Sequence, residues 1–228
     1  MIKAIVTDIE GTTSSIAFVH EVLFPYARER LPQWLEARAG QPAVAEQLDA
    51  VRAMTSEEDA SVERLADVLV QWIDEDRKAT PLKTLQGMIW EEGYRAGDFT
   101  SHIYPDAAEC LKLWHDQGLE LSIYSSGSVH AQKLMFSHTE RGDITPLITH
   151  YFDTTLGAKR DSDSYRRMLD VLGVPAEDVL FLSDVPAELD AAEDAGIRTC
   201  QLVRDPEMET GHHRCVHSFD EIDLDELA

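Results

Sequence analysis

Two acids, Asp8 and Glu10, stand two positions apart in "AIVTDIEGTTSS", where an apolar run meets Gly11. Further along come Ser125 with Ser126, then Lys159, then Asp184 with Glu188. One chemistry employs all of them. A carboxylate that attacks a phosphoryl group forms a covalent aspartyl-phosphate and splits a hard hydrolysis into two easier steps. Two anions must then approach each other, and Mg²⁺, a hard cation that takes carboxylate, carbonyl and phosphate oxygens, bridges them. Asp8 and Asp184 are the candidates to hold that ion. Lys159 would neutralise the phosphoryl oxygens and the nucleophile, while Ser125 or Ser126 donates hydrogen bonds to the same oxygens. Backbone N–H groups in the turn after Asp8 would complete the cradle.

Glu10 has a separate part. In a strand of period two, positions 8 and 10 point the same way, and a tight turn at Gly11 brings Glu10 over the leaving-group oxygen. It would protonate that oxygen in the first step and deprotonate the attacking water in the second. Its backbone carbonyl, freed at the strand end, is a candidate third protein ligand to the metal. Taken singly, every one of these features has a bland reading as a helix cap, a turn or surface solubility. Their coincidence at strand ends is what points to chemistry.

The elements that must position these groups are legible as patterns. Ile2 to Thr7 is a nearly continuous apolar run with β-branched residues, as in a strand buried on both faces. From about Phe18 to Gly97 apolar residues recur at helical spacing, as in Leu65, Val68, Leu69 and Trp72, with breaks near "RAGQP" and "ATP". After "HIYPDAAE" strands and helices alternate: a helix from Pro105 to near Gly118, the strand "LELSIY", a helix carrying Leu134, Met135 and Phe136, and the short extended piece "HYFDT". A helix with Tyr165, Met168, Leu169 and Leu172 on one face follows, then the strand "VLFLS", a helix from Pro186 to Gly196, and a last strand "TCQLV" ahead of an acidic tail. This alternation predicts an α/β fold, a Rossmann-like parallel sheet flanked by helices, with an all-helical module inserted. Ligands of such sheets bind beyond the carboxyl ends of the strands, near the topological switch point.

Composition narrows the class. The chain has 228 residues, of which 43% are apolar, enough for a sizeable core. Its 43 acids against 20 bases give a formal charge of −23. That charge disfavours nucleic acid and anionic membranes as partners, and an anionic substrate would need positive charge gathered locally. No apolar run approaches the ~18 residues of a membrane span, and no leader peptide pattern is present. A cytoplasmic location and a monomer are expected. Cys110, Cys200 and Cys215 are odd in number and widely spaced, as reduced ordinary residues are. Walker, dinucleotide-binding and nucleophile-elbow patterns are absent, which removes nucleotide cofactors and serine-hydrolase chemistry.

The order of acid pair, hydroxyl, lysine and acid pair resembles the four motifs of the haloacid dehalogenase-like superfamily. The first motif there normally reads Asp-x-Asp-x-Thr/Val, whereas "DIEGTT" has Glu as the second acid. That departure, with "YSSGS", "LGAKRDSDSY" and "FLSDVPAELDAAEDAG", resembles the enolase-phosphatases of methionine salvage within that superfamily. The resemblance implies a catalytic core at 1–15 and 102–228 and a helical cap at 16–101. It implies a small phosphorylated diketone as substrate, 2,3-diketo-5-methylthiopentyl-1-phosphate, first enolised and then dephosphorylated to acireductone with one Mg²⁺ per chain. Carried over by position, Asp8 is nucleophile and metal ligand, Glu10 acid/base and metal ligand, Ser125, Ser126 and Lys159 bind substrate, and Asp184 binds the metal. Lys159 is also a catalytic residue in this reading. Glu188 supports the metal's waters or orients Lys159.

For the enolisation, Mg²⁺ or Lys159 is the candidate electrophile and Glu10 a candidate base, with both half-reactions in one site. Phe18 and Val19 either form an apolar wall for the methylthio tail or simply pack the helical module. His20 and His102 bracket that module, where hinge packing is expected. His212 and His213 are not expected to bind metal, because adjacent residues in a strand or helix point apart and no acid or Cys partner stands at a suitable spacing. The rival readings are a sugar-phosphate or phosphoglycolate-type phosphatase with the same Asp8 chemistry, and a receiver-like phospho-aspartate module. In the receiver arrangement the lysine closes the motif series, whereas here Asp184 follows Lys159. A dehalogenase would need neither Glu10 nor the metal set.

Overall fold

The structure is a computed structural model that describes residues 1–226. Residues 227 and 228, the end of the core span expected above, lie outside the described residues. The chain divides into two compact units, one comprising Met1–Ile16 and the chain from Ser101 onward, the other Ala17–Thr100.

The first unit holds a six-stranded sheet in the order β3-β2-β1-β4-β5-β6, parallel throughout. The strands are β1 (Ala4–Thr7), β2 (Glu120–Tyr124), β3 (His150–Phe152), β4 (Val179–Ser183), β5 (Arg198–Leu202) and β6 (Arg214–Val216). Every residue of β1 and β4 is buried, which is why these segments read as continuous apolar runs. Side chains alternate between two cores. Ile5, Leu121, Ile123, Leu180 and Leu182 pack on one face with Ala107, Leu111 and Trp114 of helix α6 (Pro105–Asp116). Ala4, Val6, Tyr124, Val179 and Phe181 pack on the other with Tyr165 and Met168 of α8 (Ser162–Leu172) and Leu189 and Ala192 of α9 (Pro186–Asp194). A further helix of this unit, α7 (Val129–Ser137), follows β2 and is capped by the Ser128 hydroxyl.

The sixth strand corrects the sequence reading, which ended the sheet at "TCQLV" and left the rest as tail. Three residues with two exposed carry too little pattern to announce a strand. Pairing supplies what propensity lacks: Cys200, Gln201 and Leu202 of β5 lie in register with Arg214, Cys215 and Val216.

The second unit is all-helical. A short lead-in, α1 (Ile16–Phe18), passes into a π-helical turn at Val19–Leu23, then α2 (Phe24–Arg38), α3 (Pro42–Thr55), α4 (Val62–Asp74) and α5 (Thr80–Ala96). The expected breaks fall between α2 and α3 and ahead of α5, and a further one opens after Thr55, where Ser56 adopts a left-handed conformation with φ 58°. Leu31, Leu35, Leu48, Leu65, Leu69 and Leu82 form its buried interior. Trp90 donates its indole N–H to the Leu23 carbonyl at 2.8 Å, satisfying a polar group beside the π-turn. Among the described residues, no helix is long and apolar enough to cross a membrane.

Candidate active site

Three central strands deliver the site. Thr7, the last residue of β1, is in register with Ile123 of β2 and Leu182 of β4. Asp8, Ser125 and Asp184 therefore all emerge just beyond the carboxyl ends of adjacent strands, whose spacing in a sheet is about 4.8 Å. The chain order β1–β2–β3 runs to one side of β1 and β4–β5–β6 to the other, so this is the switch point of the sheet.

Asp8 is buried, and its backbone N–H extends the β1–β4 ladder to the Leu182 carbonyl at 2.9 Å. The strand stops there, so positions 8 and 10 do not share a strand face as the period-two argument supposed. A tight turn replaces it: the Ile9 carbonyl accepts from the N–H groups of Thr12, Thr13 and Ser14, and Gly11 N–H returns to the Ser14 carbonyl at 2.8 Å. Gly11 has φ +75°, and a Cβ there would overlap the Asp184 carboxylate. Only glycine gives both the left-handed backbone and the close approach. Glu10 lies partly exposed on this turn.

Lys159 and Glu188 complete a cluster with Asp8. The lysine Nζ is 2.6 Å from Asp8 Oδ1 and 2.6 Å from Glu188 Oε2, with all three side chains nearly buried. Ser183 Oγ donates to the same Glu188 oxygen at 3.0 Å. Of the two roles left open for Glu188, its contacts are those of a group that orients the lysine. The Lys159 backbone is fixed in turn by the Tyr165 hydroxyl, which donates to its carbonyl at 2.8 Å.

Ser125 is buried, donates its N–H to the Phe152 carbonyl and accepts the Gly127 N–H on its hydroxyl. Ser126 is partly exposed on the same loop. The loop is held from behind by Gln132, whose amide donates to the carbonyls of Gly127 and Phe152 at 2.9 and 2.8 Å.

The charges of the cluster interact. Burial, and then the negative charge of Asp8, push Asp184 up to about 7. Burial and the same neighbour raise Glu188, against the pull of Lys159. Burial alone would lower the Lys159 ammonium, but Asp8 and Glu188 outweigh it and leave it raised. A carboxyl raised on folding binds a proton more tightly in the native state, so its contribution to stability is lost as pH rises from its unfolded value near 4 to about 7. With chelator present, the urea midpoint is expected to fall between pH 5 and pH 8, and Asp184→Asn is expected to flatten that fall. An unchanged slope in the variant would remove Asp184 as its source.

Asp184 Oδ1 is buried without a hydrogen-bond partner, while its backbone carbonyl is held by Gln201 at 3.0 Å. An orphaned carboxylate oxygen beside a second carboxylate is the donor set a hard cation satisfies. Asp8 and Asp184 thus fit Mg²⁺ on the chemistry of their oxygens.

Some supporting residues escaped sequence reasoning. Thr13 Oγ1 donates to the Asp8 carbonyl at 3.2 Å, and Arg204 donates twice to the Thr12 carbonyl, at 2.9 and 3.2 Å, while pairing with Asp106 at 2.8 Å. The paired threonines of "EGTT" were visible as a motif extension, whereas nothing local marks Arg204, which acts from 192 residues away. His102 joins two segments of the first unit: its Nδ1 accepts the Ser15 N–H at 2.9 Å and its carbonyl accepts the Ser14 hydroxyl at 2.8 Å. His20 is exposed and packs edge-on against Phe24. Phe18 and Val19 are both buried. Cys110 and Cys200 are buried and Cys215 exposed, all three free.

Enolase-phosphatase E1 of Pectobacterium carotovorum subsp. carotovorum (strain PC1) is 56% identical to this chain over 228 residues, 100% of both chains. Enolase-phosphatase E1 of Pseudomonas aeruginosa (strain UCBPP-PA14) is 57% identical over 211 residues, 92% of this chain and 94% of that one. Among solved structures, the UTR4 protein of Saccharomyces cerevisiae superposes with a TM-score of 0.83 at 32% identity, covering 97% of this chain and 100% of that one. The Rhodobacter sphaeroides protein CbbY, 18% identical with a TM-score of 0.58, shares the fold. Residues 2–196 match the haloacid dehalogenase-like hydrolases by family description. With that match and these relatives, the chain belongs to the haloacid dehalogenase-like hydrolase family.

Proposed function

We propose that this chain is an enolase-phosphatase that takes 2,3-diketo-5-methylthiopentyl-1-phosphate through enolisation and dephosphorylation to acireductone. The full-length likeness to proteins named Enolase-phosphatase E1 supports the reaction, and the Asp8–Lys159–Glu188 cluster is the observation that carries its phosphatase half. Phosphatases of this family generally use Mg²⁺. When bound, that ion would offset the negative charge that gathers as a phosphoryl group meets a carboxylate, held by Asp8, Asp184 and the Glu10 carbonyl.

Asp8 attacks phosphorus through a carboxylate oxygen. The bond from phosphorus to the substrate oxygen breaks, and Glu10 gives that oxygen its proton. Water then attacks the aspartyl-phosphate, Glu10 takes its proton, and phosphate leaves with the Asp8 carboxylate restored. Lys159, steered by Glu188, supplies positive charge to the phosphoryl oxygens, and Ser125 and Ser126 bind them by hydrogen bonds. In the enolisation, which comes first, the Glu10 carboxylate takes the proton from the carbon next to the carbonyl. The C–H electron pair forms the C=C bond, and the carbonyl becomes an enolate facing Lys159. The proton now on Glu10 is the one given to the leaving-group oxygen. The inserted helical unit is read as the cap that the resemblance implies.

The test is a product assay with the diketo-phosphate, following enol absorbance and phosphate release together, with and without chelator. Both signals are expected, and both are expected to fall when the metal is removed. Phosphate release with no enol intermediate or product would sink the enolase-phosphatase reading and favour the general sugar-phosphate phosphatase.

A further inference from the structure

The bend that leads into β6 carries His212 and His213, which the proposed reaction does not use. Adjacent side chains diverge in regular extended backbone, but the bend turns these two together, with ring centroids 4.0 Å apart. The expectation that they point apart therefore fails. His213 is fully buried and His212 largely exposed. Each turns one nitrogen toward Asp190 Oδ1 on α9: His213 Nε2 at 3.0 Å and His212 Nδ1 at 3.7 Å.

The remaining nitrogen of each ring is also engaged. His213 Nδ1 lies 2.8 Å from Thr199 Oγ1, and His212 Nε2 lies 2.7 Å from Glu193 Oε2, one helical turn beyond Asp190. An outer partner on the remote nitrogen fixes both the orientation and the tautomer of an imidazole, and it is the arrangement around metal-bound histidines. The inner distances agree. Four-coordinate bonds of about 2.0–2.1 Å place neighbouring ligand atoms roughly 3.3 Å apart, and the two values above bracket that separation. All three ligand atoms lie within 4.8 Å of one another.

We propose that Asp190, His212 and His213 form a second metal site, apart from the phosphoryl site, for a borderline divalent transition ion of the Zn²⁺ class. Two imidazoles and one carboxylate favour such an ion over Mg²⁺, which takes oxygen ligands. Glu193 and Thr199 are its outer partners, and water fills the open position. The ion ties α9 to the segment entering the edge strand β6. Because it binds the native arrangement and not the unfolded chain, it stabilises that edge.

The competing account is a cluster of imidazole–carboxylate ion pairs with no affinity for metal. To separate them, the full chain is titrated with Zn²⁺ in excess Mg²⁺ against a chromophoric chelator, and with Co²⁺ for visible absorption. One Zn²⁺ per chain is expected to be retained, with the Co²⁺ form showing the absorption of a four-coordinate site. His212→Ala and Asp190→Asn change exposed side chains, and both are expected to lose the ion. Thr199→Val, which removes only an outer partner, is expected to weaken it by about 10–100-fold. Asp8→Asn is expected to keep it. No retained Zn²⁺ in the unaltered chain, retention in both ligand variants, or loss in Asp8→Asn would each overturn the proposal.

Discussion

Asp8→Asn is expected to lower the rate of phosphate release by about 10⁴-fold or more, the scale of removing a covalent nucleophile. The variant should fold. Asparagine keeps the volume of the side chain, and Lys159 retains its 2.6 Å partner Glu188. Loss of the Asp8 charge also removes a cause of the raised carboxyls of Asp184 and Glu188. The chelated variant should therefore hold its urea midpoint better than the parent as pH rises from 5 to 8. Single-turnover phosphate release and urea melts at two pH values check both halves. A variant that releases phosphate at near-parental rate would exclude Asp8 as the nucleophile.

Lys159→Met has the second large effect, and it falls on stability as well as activity. The lysine lies between two nearly buried carboxylates, and removing one partner of such a cluster costs about 3–5 kcal/mol because the others are left without a counter-charge. The raised ammonium stays charged below its ordinary range, so Lys159 itself adds no pH dependence between pH 5 and 9. In the variant the orphaned carboxyls bind protons instead, so its deficit should grow with rising pH. Lys159→Met combined with Glu188→Gln should recover part of the stability and none of the activity, which should fall by about 10²-fold or more in either variant. Equal urea midpoints for parent and single variant would show that solvent, not Lys159, carries the charge of the pair.

The sequence reading succeeded where one strand or one helix face carries the signal. β1 and β4 are buried on both sides and announce themselves as apolar runs, and each is followed at once by an acid. It failed where structure comes from partners distant in sequence. β6 exists through its pairing with β5, and two of its three residues are exposed. Gln132, Gln201 and Arg204 are polar residues whose importance lies in which carbonyls they reach, and no local pattern encodes that reach. Glu188 was visible as an acid downstream of Asp184, but its bond to Lys159 depends on two segments meeting in space. The orientation of the two histidines was not legible for a simpler reason: adjacent side chains diverge only in regular backbone, and the chain bends there.

The central place of β1 has a consequence for the order in which this protein comes together. Its first strand residue, Ala4, has partners at Glu120 on one side and Val179 on the other, so the strand that leads to Asp8 waits for most of the chain to be made. The helical unit, by contrast, is one uninterrupted stretch whose interior contacts are closer in sequence. Loop closure must be met before distant pairings return any energy, so local assemblies form faster. During synthesis the inserted helices can condense while the strand that precedes them is still unpaired, and Asp8 acquires Lys159 and Glu188 only late in translation.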